Sequence, residues 1–143
     1  MYYVNQEQIG ERLALIPVLS GASERLCGEW QEDRPDLLQA LAQERLLHLA
    51  LELVTDVGSL LIDGFLMRDA SSYEDIVEII RTEGVFPGEL FEPLLALVRL
   101  RKPLVQEYAS LERGSLHPLT RQLPGLLSAF GQSVQQFIAK ELV

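Results

Sequence analysis

The chain has 143 residues, 48% of them hydrophobic, and a formal net charge of −9. That length and apolar content suit one folded domain over residues 1–143 with its own core, and exclude a disordered chain. The acidic balance works against non-specific nucleic-acid binding, because a negative surface repels a phosphate backbone; any RNA contact is confined to a locally basic cleft.

A single cysteine, Cys27, excludes an internal disulfide and a cysteine metal cluster. It reads as a small hydrophobe near a helix surface. The polar segment Met1–Gln8 lacks the basic-then-apolar order of a secretion signal. No apolar run reaches the ~20 residues that span a bilayer. Asp56 and Asp63 interrupt the nearest one. The expectation is a cytoplasmic protein with no membrane partner, no metal and no other cofactor.

The first predicted element is a helix over Glu7–Gln31, with Ile9, Leu13, Ile16, Leu19 and Leu26 on one face. Asn5 is its N-cap. Pro17 kinks it, since a proline removes a backbone hydrogen bond and clashes with the preceding turn. A polar loop, residues 31–35, leads out, and Pro35 or Asp36 opens the next helix.

The second helix, Asp36–Gly64, is rich in Leu and Ala and has no internal proline. Its polar residues Arg45, His48, Glu52, Asp56, Ser59 and Asp63 are spaced 3, 4, 4, 3 and 4 apart. At about 100° per residue they fall within an arc of roughly 80°. Nearly every other position from Leu46 to Ile62 is apolar or small. A peripheral helix has the opposite balance. This helix is therefore central. Its stripe is either a solvent-facing seam or one wall of a polar cleft, with Arg45, Glu52 and Asp56 paired to charges from another helix.

Residues 65–72 connect to a short third helix, Tyr73–Glu83. Ser71 with Glu74, and Ser72 with Asp75, have the spacing of a capping box. Gly84 ends the helix. A turn at Val85-Phe86-Pro87 precedes the fourth helix, Gly88 to about Arg101, which Pro103 breaks or kinks. Arg99, Arg101 and Lys102 make the densest positive charge in the chain. After a loop at residues 112–118, the last helix runs from about Leu119 to Leu142, with Pro124 a turn inside it. The fold class is all-α: an up-and-down bundle of four long helices plus one short one.

Several short motifs then line up in order. Glu44-Arg45-Leu46-Leu47-His48-Leu49-Ala50-Leu51-Glu52 leads into Asp56-Val57-Gly58. Ser72-Tyr73-Glu74-Asp75 and Gly84-Val85 follow, then Arg101, four residues, Gln106, one residue and Tyr108. Over Gln43–Tyr108 this pattern resembles the HepT-like branch of the HEPN superfamily, the toxin-type partners of minimal nucleotidyltransferases. Two positions depart from the family. Gln106 stands where the family has His, and Lys102 where Asn is usual.

The resemblance implies a metal-independent RNA endonuclease working as a homodimer. The motif His moves protons as the ribose 2′-OH attacks the neighbouring phosphate, and the motif Arg, here Arg101, stabilises the developing charge. It also implies a nucleotidyltransferase antitoxin that adenylylates the motif tyrosine, here Tyr108; the other reading of Tyr108 is an aromatic packed at a helix end with a wet hydroxyl. Gln106 cannot titrate near neutral pH, so cleavage by the family route is impaired. His48 and His117 are the two histidines that stand as replacements.

Two readings stay open on the resemblance: a ribonuclease with altered chemistry, and a non-catalytic homodimer binding a nucleotidyltransferase, a nucleotide or RNA through the same cleft. A third is an unrelated bundle matching by chance. The candidate cleft residues are Arg101, Gln106 and Tyr108, supported by Arg45, Glu52, Asp56 and Lys102. The expected contact is Arg101 with Glu52 or Asp56.

Overall fold

The computed structural model describes residues 1–143. It has six α-helices: α1 (Gln6–Leu13), α2 (Ile16–Glu29), α3 (Leu37–Gly64), α4 (Tyr73–Thr82), α5 (Phe91–Arg99) and α6 (Pro118–Glu141). Single turns of other helix types fill the connections at Gly88–Leu90, Lys102–Gln106 and Tyr108–Ser110.

The N-terminal helix is two helices rather than one kinked one. α1 begins where Asn5 caps it, the side chain accepting the Gln8 N–H at 3.0 Å. It ends at Leu13, and Pro17 lies in the first turn of α2. Proline has no N–H to carry the bond pattern across residues 14–17, yet it is at home in a first turn, where no donor is needed.

α3 is the axis of the bundle. Asp36 caps it, accepting the N–H groups of Leu38 and Gln39 at 2.8 and 3.3 Å. The other five α-helices all pack on it. Leu51, Val54, Val57 and Leu61 are fully buried. Each such side chain stabilises the fold by about 1.5–3 kcal/mol relative to exposure. At Gly58 a Cβ would overlap Ile76 Cγ2 of α4. The missing side chain is what lets α3 and α4 approach so closely, and it gives the Asp56-Val57-Gly58 segment a packing reason. α3 ends through Leu66, at φ 57°, with the Met67 N–H returning to the Ile62 carbonyl at 2.9 Å.

α4 starts at Ser72, whose Oγ accepts the Asp75 N–H at 3.0 Å. It stops at Gly84, φ 80°, with the Val85 N–H bonded to the Ile80 carbonyl at 2.9 Å. That is the left-handed glycine stop the sequence predicts.

α6 opens on His117, whose Nδ1 accepts the Leu119 N–H at 3.0 Å. Buried Gln43 of α3 rivets this end. Its Oε1 accepts from His117 N at 2.8 Å and Thr120 Oγ1 at 2.7 Å, and its Nε2 donates to Ser115 O at 3.2 Å. Pro124 does not interrupt the helix. Lacking an N–H, it leaves the Thr120 carbonyl without its usual partner four residues on. Ser23 of α2 supplies the substitute, its Oγ donating to Thr120 O. Both residues are fully buried where α2 and α6 pack together.

Candidate functional site

Pro103 shapes the site. It lies in the last helical stretch before the loop and has no N–H for the Arg99 carbonyl. The chain beyond α5 therefore widens into one π turn, Lys102–Gln106, closed by the Glu107 N–H on the Lys102 carbonyl at 3.2 Å. In an α-helix, residues five apart point about 140° away from each other. A turn closed five residues apart stacks them instead. Arg101 and Gln106 thereby come to the same side. They line one open groove of about 230 Å³ with Ser72, Tyr73 and Glu74 from the start of α4 and with Val98, Arg99 and Lys102.

Arg101 meets Glu52, as the polar stripe on α3 leads one to expect. Nη1 donates to Glu52 Oε1 at 2.7 Å, with both side chains about one-third exposed (28% and 34%). The guanidinium also stacks on Tyr73, 4.0 Å from the ring centroid. A stacked, bidentate-capable guanidinium is preorganised in a way a lysine is not. Glu52 has a second partner on the same oxygen, His48 Nε2 at 3.3 Å. His48 Nδ1 in turn faces Arg45 Nη1 at 3.3 Å. Arg45, His48, Glu52, Arg101 and Tyr73 thus form one continuous chain of contacts.

The stripe on α3 is both a seam and a wall. Arg45, Ser59 and Asp63 are exposed, whereas His48, Glu52 and Asp56 are half-buried. Asp56 does not reach Arg101. It pairs with Arg12 of α1 at 3.4 Å. Lys102 is exposed and in no ion pair. Arg99 pairs with Glu74 across the groove mouth at 3.4 Å.

Tyr108 lies outside the groove. Its ring is 60% exposed. Its carbonyl accepts from Arg113 Nη2 at 2.9 Å, and Arg113 Nε sits 2.6 Å from Glu44 of α3. This clamp holds the loop after the π turn against α3. His117 is the α6 cap and lines no part of the groove, and burial pushes its imidazole below the ordinary value. At the start of α4, two hydrogen bonds from Arg68 (2.7 and 2.8 Å) hold the Asp75 carboxyl far below the usual range, helped by the Ser71 N–H. No three His, Cys, Asp or Glu side chains converge in a way that could hold a metal ion, and no helix is long and apolar enough to cross a membrane.

Tyr73 as the stacking partner of Arg101 is not predicted from composition or spacing; its place in the Ser72-Tyr73-Glu74-Asp75 helix start is the only signal. The Arg113–Glu44 clamp has none, and for Asp56 the stripe points to a partner on another helix without naming Arg12.

Comparison with known proteins agrees with this fold. The model of the family "Ribonuclease HepT-like" matches residues 22–130. A Bacillus subtilis (strain 168) protein named "Putative RNase YutE" is 31% identical over 142 residues, covering 99% of this chain and 95% of that protein. A solved structure of YutE from Bacillus subtilis, described there as a cytosolic protein of unknown function, superposes with a TM-score of 0.84 at 30% identity, covering 99% of this chain and 96% of that one. With its helical bundle, its Arg–x4–Gln–x–Tyr segment and the family match across most of its length, the chain belongs to the HepT-like ribonuclease family.

Proposed function

We propose that this protein is a HepT-type RNA endonuclease of the toxin kind, active in the cytoplasm, whose cleavage by the family route is impaired at position 106. The observation that carries the reading is the shared face of Arg101 and Gln106 in one open groove. Arg101 offers a permanent charge and a planar fork of donors to a phosphodiester. Lys102, in no ion pair, adds positive charge at the same mouth, where Arg99 is paired with Glu74; this is the locally basic cleft that an acidic protein needs to admit RNA. Gln106 donates to a phosphate oxygen or holds a water, but exchanges no proton near neutral pH. General acid–base help is worth ~10²–10⁴-fold, and the rate falls by that order without it.

Two copies bring two grooves into one cleft, so the working form is a homodimer. Its antitoxin is a minimal nucleotidyltransferase, and the exposed Tyr108 is the acceptor for an adenylyl group. The tight Arg101–Glu52 pair favours one second reading, a homodimer that holds RNA, a nucleotide or the nucleotidyltransferase in the same groove without cutting.

Mixed RNA incubated with the purified protein and with Arg101→Ala decides between them. Slow cleavage by wild type, lost in Arg101→Ala, is the expected result. Wild type indistinguishable from Arg101→Ala overturns the ribonuclease reading and leaves the binding one.

A further inference from the structure

Gln106 leaves the groove without a proton carrier, and the chain has two histidines. His117 is committed: its Nδ1 accepts the Leu119 N–H as the cap of α6. His48 is placed differently. Its Nε2 contacts the same Glu52 oxygen to which Arg101 donates. Imidazole and guanidinium therefore lie within two hydrogen-bond lengths of each other. The ring is 29% exposed, so it is oriented yet reachable.

We propose, resting on the ribonuclease reading above, that His48 is the proton carrier for RNA cleavage in this chain, oriented by Glu52 and flanked by Arg45 and Arg101. Glu52 accepts the Nε2–H, which leaves the lone pair on Nδ1. Nδ1 faces the exposed guanidinium of Arg45. A phosphate oxygen that engages Arg45 draws it off Nδ1 and brings the neighbouring ribose to the ring.

The step balances without any co-reactant. The 2′-OH proton passes to Nδ1 while O2′ bonds to phosphorus. The P–O5′ bond breaks, and O5′ takes the proton back from Nδ1. The products are a 2′,3′-cyclic phosphate and a 5′-hydroxyl. Arg45 faces the charge that builds on the phosphoryl oxygens, Glu52 faces the imidazolium formed in between, and Arg101 holds Glu52 in place.

The charged groups around His48 all have places. On α3, Glu44 is paired with Arg113 and Asp56 with Arg12. Glu52 is the carboxylate left to His48, with Arg101 on its other side and Tyr73 of α4 beyond.

The test is the cleavage rate on mixed RNA. Wild type, His48→Gln, His48→Ala and Gln106→His are compared, with 5′-hydroxyl ends as the readout. His48→Gln is expected to cut ~10²-fold or more slowly. Added imidazole is expected to restore cutting to His48→Ala, which a structural role for the ring does not allow. Equal rates for wild type and His48→Gln overturn the assignment. So does an inert wild type beside an active Gln106→His, which also overturns the ribonuclease reading of the wild-type chain; the first result leaves that reading standing. If neither wild type nor Gln106→His cuts, the ribonuclease reading falls and this proposal falls with it.

Discussion

The Thr120 carbonyl offers a clean measurement of how a proline is tolerated inside a buried helix. Pro124 has no N–H for it, and Ser23 Oγ reaches across from α2 to serve instead. Ser23 and Thr120 are both at 0% exposure, so no water takes over when the hydroxyl is removed. Leaving a buried carbonyl unpaired costs about 1–3 kcal/mol. Ser23→Ala is therefore expected to destabilise the protein by about 2 kcal/mol, a fall of about 4–8 °C in thermal midpoint for a chain of this size. Pro124→Ala restores the N–H, and in that background the same Ser23→Ala change is expected to cost less than about 1 kcal/mol. Urea denaturation followed by circular dichroism, on the four proteins of this double-mutant cycle, gives the coupling directly. Equal costs in the two backgrounds would refute the compensation, because Ser23 would then be contributing packing alone.

Other substitutions test the remaining local explanations. Gly58→Ala forces a methyl group into Ile76 of α4 and is expected to destabilise by about 1–3 kcal/mol, read by the same denaturation. Leu66→Gly relieves a left-handed residue whose side chain is 70% exposed; the expected gain is up to about 1 kcal/mol, part of the roughly 1–2 kcal/mol that this conformation costs an L-residue. His117 supplies a pH test. Burial lowers its folded pKa below 6.5, so the unfolded chain binds the proton first as pH falls. The stability this neutral ring contributes is full above that value and is lost progressively below it. His117→Asn keeps a capping oxygen and has nothing to titrate, so its stability is expected to change less than wild type between about pH 7.5 and 5.5.

Much of the bundle was legible because each helix carries its own local signals. Asn5, Asp36 and Ser72 cap the helices that the periodicity outlines, and Gly84 stops α4 with a positive φ. The stripe on α3 correctly pointed Arg101 at Glu52. Two things were not readable. Pro17 signals a disturbance, but whether a proline kinks one helix or opens a second depends on the bonds of residues 14 and 15, which packing decides. α1, set off in this way, carries Arg12 to Asp56, while Arg101 pairs with Glu52. Likewise Pro103 announces a break, yet sequence spacing treats residues 101 and 106 as pointing apart. Only the widened turn brings them to one face. The Tyr73 stack is a tertiary contact with no periodic signature of its own.

The shared face of Arg101 and Gln106 is tested most directly by returning a histidine to position 106 and measuring RNA cleavage. Gln106→His is expected to cut faster than wild type, through the same groove, so that adding Arg101→Ala abolishes the gain. A Gln106→His protein that folds as wild type does and cuts no faster would contradict the assignment of this groove as the site of RNA chemistry.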